Sequence, residues 1–287
     1  RDVFESAGAA MAFEECLFEA CEQAGWRLSA YVIMRNHFHL AVETPRANLV
    51  EGMHWLQSTF ATRFNRFRNE RGHLFQSRYK AILVEPGPHL ARVVDYIHLN
   101  PQRAGIVTLD LLPQFRWSSY RRFLRADRPL FLECAAWLRE LGFEDSAAGW
   151  KGYSDHLQWL AADTDEQRKQ AFEQLSKGWA IGDEGWRATL AQDFAHKLSP
   201  RALREPDVAE LRTCRWNSMV DRLLTEAQRT RADLALATKS EPWKIKLALK
   251  VKRATGAPNA WIAQTLQMGT PGSVSVYFSK ARKKLRN

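Results

Sequence analysis

The chain has 287 residues and a mass of 33.0 kDa, of which 45% are hydrophobic and 26% charged. These globular values exclude a disordered or collagen-like chain, and no apolar run approaches the ~20 residues of a membrane helix. The formal net charge is +10, but residues 201–287 hold 18 Lys/Arg and 7 Asp/Glu, a net of +11, which leaves residues 1–200 at −1.

Residues 8–25 carry Met11, Phe13, Leu17, Phe18 and Cys21 near helical spacing and end at Gly25, which predicts a helix. Residues 27–34 and 37–43 alternate and are rich in β-formers. Arg35-Asn36 between them predicts two strands joined by a tight turn. Residues 48–69 predict a long amphipathic helix with Leu49, Met53, Leu56, Phe60 and Phe64 on one face, broken by Gly72-His73. Residues 79–85 predict a third strand, and residues 88–99 a helix stopped by Pro101. This order reads as an α+β sandwich with an antiparallel sheet. Residues 126–200 are mixed, mostly helical and Trp-rich, without a catalytic motif.

His37-Phe38-His39 is the sharpest local feature. Residues i and i+2 of a strand share a face, so the two imidazoles are a two-ligand half-site for a divalent cation, with Phe38 toward the core. The same triplet also suits two packed or hydrogen-bonded histidines. Tyr96 and Asn100 lie four apart, on one helix face. A phenol there is either a nucleophile toward phosphorus or a core tyrosine. Asn100 offers an amide oxygen as a third metal ligand. His98 points away from Tyr96 and reads as structural.

Together these stretches carry a resemblance. The run Tyr31-Val-Ile-Met-Arg-Asn-His-Phe-His-Leu-Ala-Val-Glu-Thr-Pro45 resembles the metal-site strand of the single-tyrosine transposases of the HUH superfamily, the IS200-like family. Gly72-His-Leu-Phe-Gln-Ser-Arg-Tyr-Lys80, Tyr96-Ile-His-Leu-Asn-Pro-Gln-Arg-Ala-Gly-Ile-Val107 and Trp117-Ser-Ser-Tyr120 resemble its REP-associated branch. The resemblance covers about residues 1–125. It implies a ferredoxin-like α+β domain with a central antiparallel sheet. It further implies Mg²⁺ or Mn²⁺ on His37, His39 and Asn100, and attack by Tyr96 on a single-stranded DNA phosphate near a hairpin. Tyr96 would be joined to the 5′ side and a 3′-OH released. It places a first strand before Arg1, and because the chain opens on Arg rather than Met, the natural N-terminus is expected to lie upstream.

Arg63, Arg66, Arg78 and Lys80 lie between the histidines and Tyr96, interleaved with aromatics that include Tyr79. Cations beside aromatics suit single strands, whose phosphates are neutralised and whose bases stack; a solvated basic helix face with a core Phe stripe is the alternative. In the basic tail, Trp261–Gly269 followed by a second helix from Thr270 has the outline of a helix-turn-helix, with Ser273 as a cap. Ser273, Ser275, Tyr277 and Lys280 would face duplex DNA, and Val274 and Phe278 the core. A plain helical bundle with a basic surface fits the same pattern.

The expected organisation is a catalytic domain at residues 1–125, a mainly helical connecting region at 126–204 and a helix-turn-helix domain at 205–287. The expected function is a metal-dependent single-stranded DNA endonuclease and strand transferase, monomeric or homodimeric and with no membrane partner. A non-catalytic DNA-binding regulator and an RNA-hairpin-binding protein are the alternatives. Cys16, Cys21, Cys134 and Cys214 are too few and scattered for a disulfide scaffold or a zinc cluster, so a cytoplasmic setting is expected.

Overall fold

In the computed structural model, which describes residues 2–76, 79–125, 128–169, 172–194 and 208–284, two units are separable: Arg1–Gly182 and Asp183–Asn287. The first begins with α1 (Ala7–Ala24). The Ser6 hydroxyl accepts from the Ala9 N–H at its start, and Gly25, at φ 67°, closes it in the left-handed conformation that glycine adopts without strain. Phe13, Leu17 and Cys21 are buried, whereas Met11 faces solvent.

Strands β1 (Arg27–Ile33) and β2 (Phe38–Glu43) form an antiparallel hairpin in which Val32 pairs with His39 and Ile33 with Phe38. The Met34 N–H donates to the His37 carbonyl at 2.8 Å, across the two-residue turn Arg35-Asn36. Residues from later in the chain also hydrogen-bond to β1. The Ile33 N–H donates to the Trp117 carbonyl (2.9 Å), the Leu28 N–H to the Phe131 carbonyl (2.7 Å), and the Glu133 N–H returns to the Leu28 carbonyl (3.0 Å). A strand edge is thereby satisfied without a neighbouring full strand.

The strand expected over residues 79–85 shrinks to β3 (Leu83–Val84). It pairs in parallel with β4 (Ala180–Ile181) rather than with the hairpin. Its β-formers report a local preference, while the choice of partner depends on which backbone edge lies nearby.

Helix α2 (Leu49–Arg68) buries Met53, Leu56, Phe60 and Phe64, as its spacing predicts, and Asn69, at φ 51°, ends it before Gly72. Gly52 admits the Trp26 ring: a Cβ built there would lie 2.1 Å from Trp26 Cζ2. Trp26 Nε1–H donates to Asn48 Oδ1 at 3.0 Å beside that contact.

Helix α3 (Pro88–Arg103) runs through Pro101, where the sequence predicts a stop. In the last turn a missing N–H costs one hydrogen bond, and the Ala104 N–H still closes on the Asn100 carbonyl at 2.9 Å. Helices α4 (Ser119–Phe123), α5 (Ala135–Glu140) and α6 (Ala147–Ala162) follow. The core joins Phe13, Leu28, Phe60 and Ile97 to Trp137, Leu138, Tyr153, Leu157 and Phe172, so side chains from beyond residue 125 share it.

The second unit contains α7 (Glu184–Phe194), α8 (Ala209–Glu226), α9 (Arg231–Leu236), α10 (Pro242–Thr255), α11 (Asn259–Thr265) and α12 (Pro271–Lys284). Val220, Leu247, Val251, Ile262, Val274 and Phe278 lie in its core. The cap of α12 is Thr270, not Ser273. Pro271 occupies the first helical position, and Thr270 Oγ1 accepts from the Ser273 N–H at 3.2 Å, as an N-cap does from the third residue. Lys244 is fully buried, its ammonium donating to the carbonyls of Leu234 (2.9 Å), Ala237 (3.3 Å) and Gln267 (3.4 Å). Among the described residues no helix is long and apolar enough to cross a membrane.

Candidate active site

His37 leaves the hairpin turn and His39 follows on β2. Their rings meet edge to face with centroids 5.0 Å apart. Phe38 goes to the other side, 4.6 Å from the Phe13 ring. Helix α3 brings the Tyr96 ring to 5.5 Å from His39, at 81°. All three side chains line one cleft of about 1600 Å³, with Gln57, Tyr79 and Lys80 on its wall.

The back of α3 is anchored by buried polar groups. Asp95 Oδ2 accepts from His156 Nε2 at 2.9 Å. His98 is wholly buried between the Tyr153 hydroxyl and Ser119 Oγ, each at 2.8 Å. Ser119 Oγ also accepts from the Tyr31 N–H (2.9 Å) and lies 3.1 Å from the Tyr31 carbonyl. Ser119 Oγ thus ties His98 to the backbone of β1, and Tyr153 ties it to α6. These bonds fix the rotation of α3, and hence the face on which Tyr96 projects. His98 is structural, as its position in the helix predicts.

Burial lowers the pKa of His37. It brings His39 down to about 4, with neighbouring His37 acting in the same sense. Both imidazoles are therefore neutral near pH 7, the state a metal ligand requires. An amide oxygen only accepts, so the 2.7 Å contact with Asn36 Oδ1 puts the His37 proton on Nδ1 and leaves Nε2 with a lone pair. Two neutral imidazoles side by side fit a divalent cation. Among the described residues no carboxylate, cysteine or third imidazole joins them within ligand reach. Asn100, partly buried and one turn beyond Tyr96, is not among the residues lining the cleft.

The remaining sequence-predicted residues divide. Tyr79 and Lys80 line the cleft. Arg63 is at the interface of α1 and α2, forked onto Glu19 with both nitrogens at 2.8 Å. Arg66 is exposed in the last turn of α2, and Arg78 lies outside the described residues. On α12, Ser275 and Lys280 are exposed, while Ser273 and Tyr277 are partly buried, Tyr277 against the core.

Sequence reasoning missed Arg103 and Phe172. The Arg103 guanidinium lies over the Tyr96 ring at 5.3 Å, and the Phe172 ring packs against Tyr96 at 5.9 Å. Arg103 follows Tyr96 by seven residues, a helical repeat that would have flagged it. Phe172 carries no such signal.

No curated protein and no solved structure matches the chain. Residues 1–100, which contain His37, His39, Tyr96 and Asn100, match the protein family described as "Transposase IS200 like".

Proposed function

We propose that this chain is a DNA strand transferase of the single-tyrosine kind, acting on single-stranded DNA near a hairpin, as in the REP-associated branch. The observation that carries the reading is the convergence of His37, His39 and Tyr96, from a turn, a strand and a helix, in one cleft. The Tyr96 oxygen forms a bond to phosphorus as the P–O3′ bond breaks. The phenolic proton leaves to solvent, and the released 3′-oxygen takes one up. The phosphotyrosine keeps the phosphodiester activated, so a 3′-OH re-forms the strand by the reverse step. Mg²⁺ or Mn²⁺ on His37 and His39, with Asn100 as third ligand, would polarise the non-bridging oxygens.

Tyr79 and Lys80 on the cleft wall suit a single strand, with Arg66 and Arg78 nearby in sequence; Arg63 would first have to leave Glu19. The chemistry is assigned to a ferredoxin-like domain at residues 1–125, joined by 126–204 to a helix-turn-helix at 205–287. In that tail domain, α11 and α12 would present Ser273, Ser275, Tyr277 and Lys280 to duplex DNA. The absence of any Asp or Glu from residues 242–287, which hold ten Lys/Arg, supports a polyanionic partner there.

The test is Tyr96→Phe, which removes one hydroxyl. With labelled single-stranded hairpin DNA on a denaturing gel, the wild type forms a protein–DNA adduct and the variant binds the DNA without forming one. Full cleavage by the variant would remove Tyr96 from the chemistry.

A further inference from the structure

The stripe of α3 that carries Tyr96 and Asn100 continues to Arg103. Helical side chains lean toward the N-terminus. The guanidinium carbon of Arg103 accordingly reaches back to 5.3 Å from the Tyr96 ring centroid and 5.2 Å from that of Phe172. The two rings meet edge to face at 88°. Phe172 is 1% exposed, whereas Arg103 is exposed at the end of its helix. Aromatic rings engage a guanidinium through its face and leave its in-plane N–H donors unused.

Several other arginines of this unit are engaged by carboxylates. Arg116 and Arg122 bind Glu14, Arg63 binds Glu19, Arg35 binds Asp2 and Glu5, and Arg128 binds Asp145. Among the described residues no carboxylate pairs with Arg103. A planar, permanently charged fork held beside the reacting phenol matches the two non-bridging oxygens of a phosphodiester.

We propose that Arg103 is a further catalytic residue, binding the scissile phosphate at Tyr96, and that Phe172 is a positioning residue that holds its guanidinium there. This rests on the reading of Tyr96 as nucleophile. Arg103 makes and breaks no covalent bond. It offsets the charge that gathers on the phosphate oxygens while the bond from Tyr96 forms and the P–O3′ bond breaks. Phe172 thereby brings the segment after residue 125 into the chemistry.

The experiment uses the full chain and a single-stranded hairpin, recovered as wild-type adduct from a pool with randomised flanks. Adduct formation is timed at saturating protein. Arg103→Gln is expected to slow it on the order of 10²-fold, as loss of one oxyanion donor does, with Arg103→Lys intermediate. Phe172→Ala is expected to slow it roughly 10-fold, a geometric loss, without weakening hairpin binding, and Phe172→Leu, which fills the space without an aromatic face, restores little of the rate. The discriminating readout is a sulfur in place of either non-bridging oxygen of the scissile phosphate. The rate ratio of the two diastereomers should differ between wild type and Arg103→Gln, which a merely structural role would not produce. An unchanged ratio, or an undiminished rate in Arg103→Gln, overturns the assignment while Tyr96 stands. Absence of adduct in the wild type, or its persistence in Tyr96→Phe, overturns the nucleophile reading and this inference with it.

Discussion

Acid should destabilise the first unit through His98 in a way that one substitution can isolate. Burial takes the His98 pKa down to about 3, against about 6.5 in an unfolded chain. Between those values the unfolded chain binds a proton that the native imidazole does not. Its contribution is therefore complete above about pH 6.5 and is lost as the pH falls toward the native value. Each unit of pH costs about 1.4 kcal/mol, so the loss reaches about 2 kcal/mol by about pH 5. His39, whose pKa falls to about 4, adds a similar slope to the wild type, so the comparison must cancel it. His98→Gln does so: its amide N–H can donate to Ser119 and its oxygen accept from Tyr153, but it takes up no proton. Urea unfolding followed by tryptophan emission suits the measurement, because Trp137 packs 5.9 Å from the His98 ring. At about pH 7 the wild type should be the more stable, and by about pH 5 the gap should narrow by about 2 kcal/mol. A gap that stays constant with pH would refute a neutral, buried His98.

Three further outcomes are expected. Gly52→Ala should destabilise by about 1–3 kcal/mol, because a methyl there meets the rigid, buried Trp26 ring; the usual gain of about 1 kcal/mol from Gly→Ala in a helix, seen in a thermal melt, would show that the ring moves freely. His37→Ala and His39→Ala should each abolish metal-dependent adduct formation, as should chelator with the wild type, and undiminished activity in excess chelator would exclude the metal site. Lys246, Lys250 and Arg253 are exposed along one side of α10. Neutralising all three to Gln should flatten the slope of log duplex affinity against log salt by up to about 2.7, and an unaltered slope would make this stripe a solvated surface.

Much of the local structure was legible in the sequence, for local physical reasons. Gly25, the Arg35-Asn36 turn and the 3.6-residue spacing of Met53, Phe60 and Phe64 act through their own backbone and nearest neighbours. Each mark stands close to the element it shapes. The i, i+2 and i, i+4 rules likewise put His37 with His39, and Tyr96 with Asn100, on common faces before any fold was known. Local rules err where a competing local preference is close in energy. Pro101 sits inside a final turn that needs few further bonds, and Thr270 outcompetes Ser273 as a cap because Pro271 favours the first helical position.

What only the tertiary structure decided is which separate elements meet. The distance from His39 to Tyr96 depends on how α3 lies across the hairpin. That placement is held by His98, Ser119 and Tyr153, which come from distant parts of the chain. The pairing of Leu83–Val84 with Ala180–Ile181, and the arrival of Phe172 beside Tyr96 and Arg103, have no counterpart in any sequence period. A periodicity reports which face of an element is apolar. It carries no information about which other element will cover that face, because burial free energy scales with area and is indifferent to the partner's place in the chain.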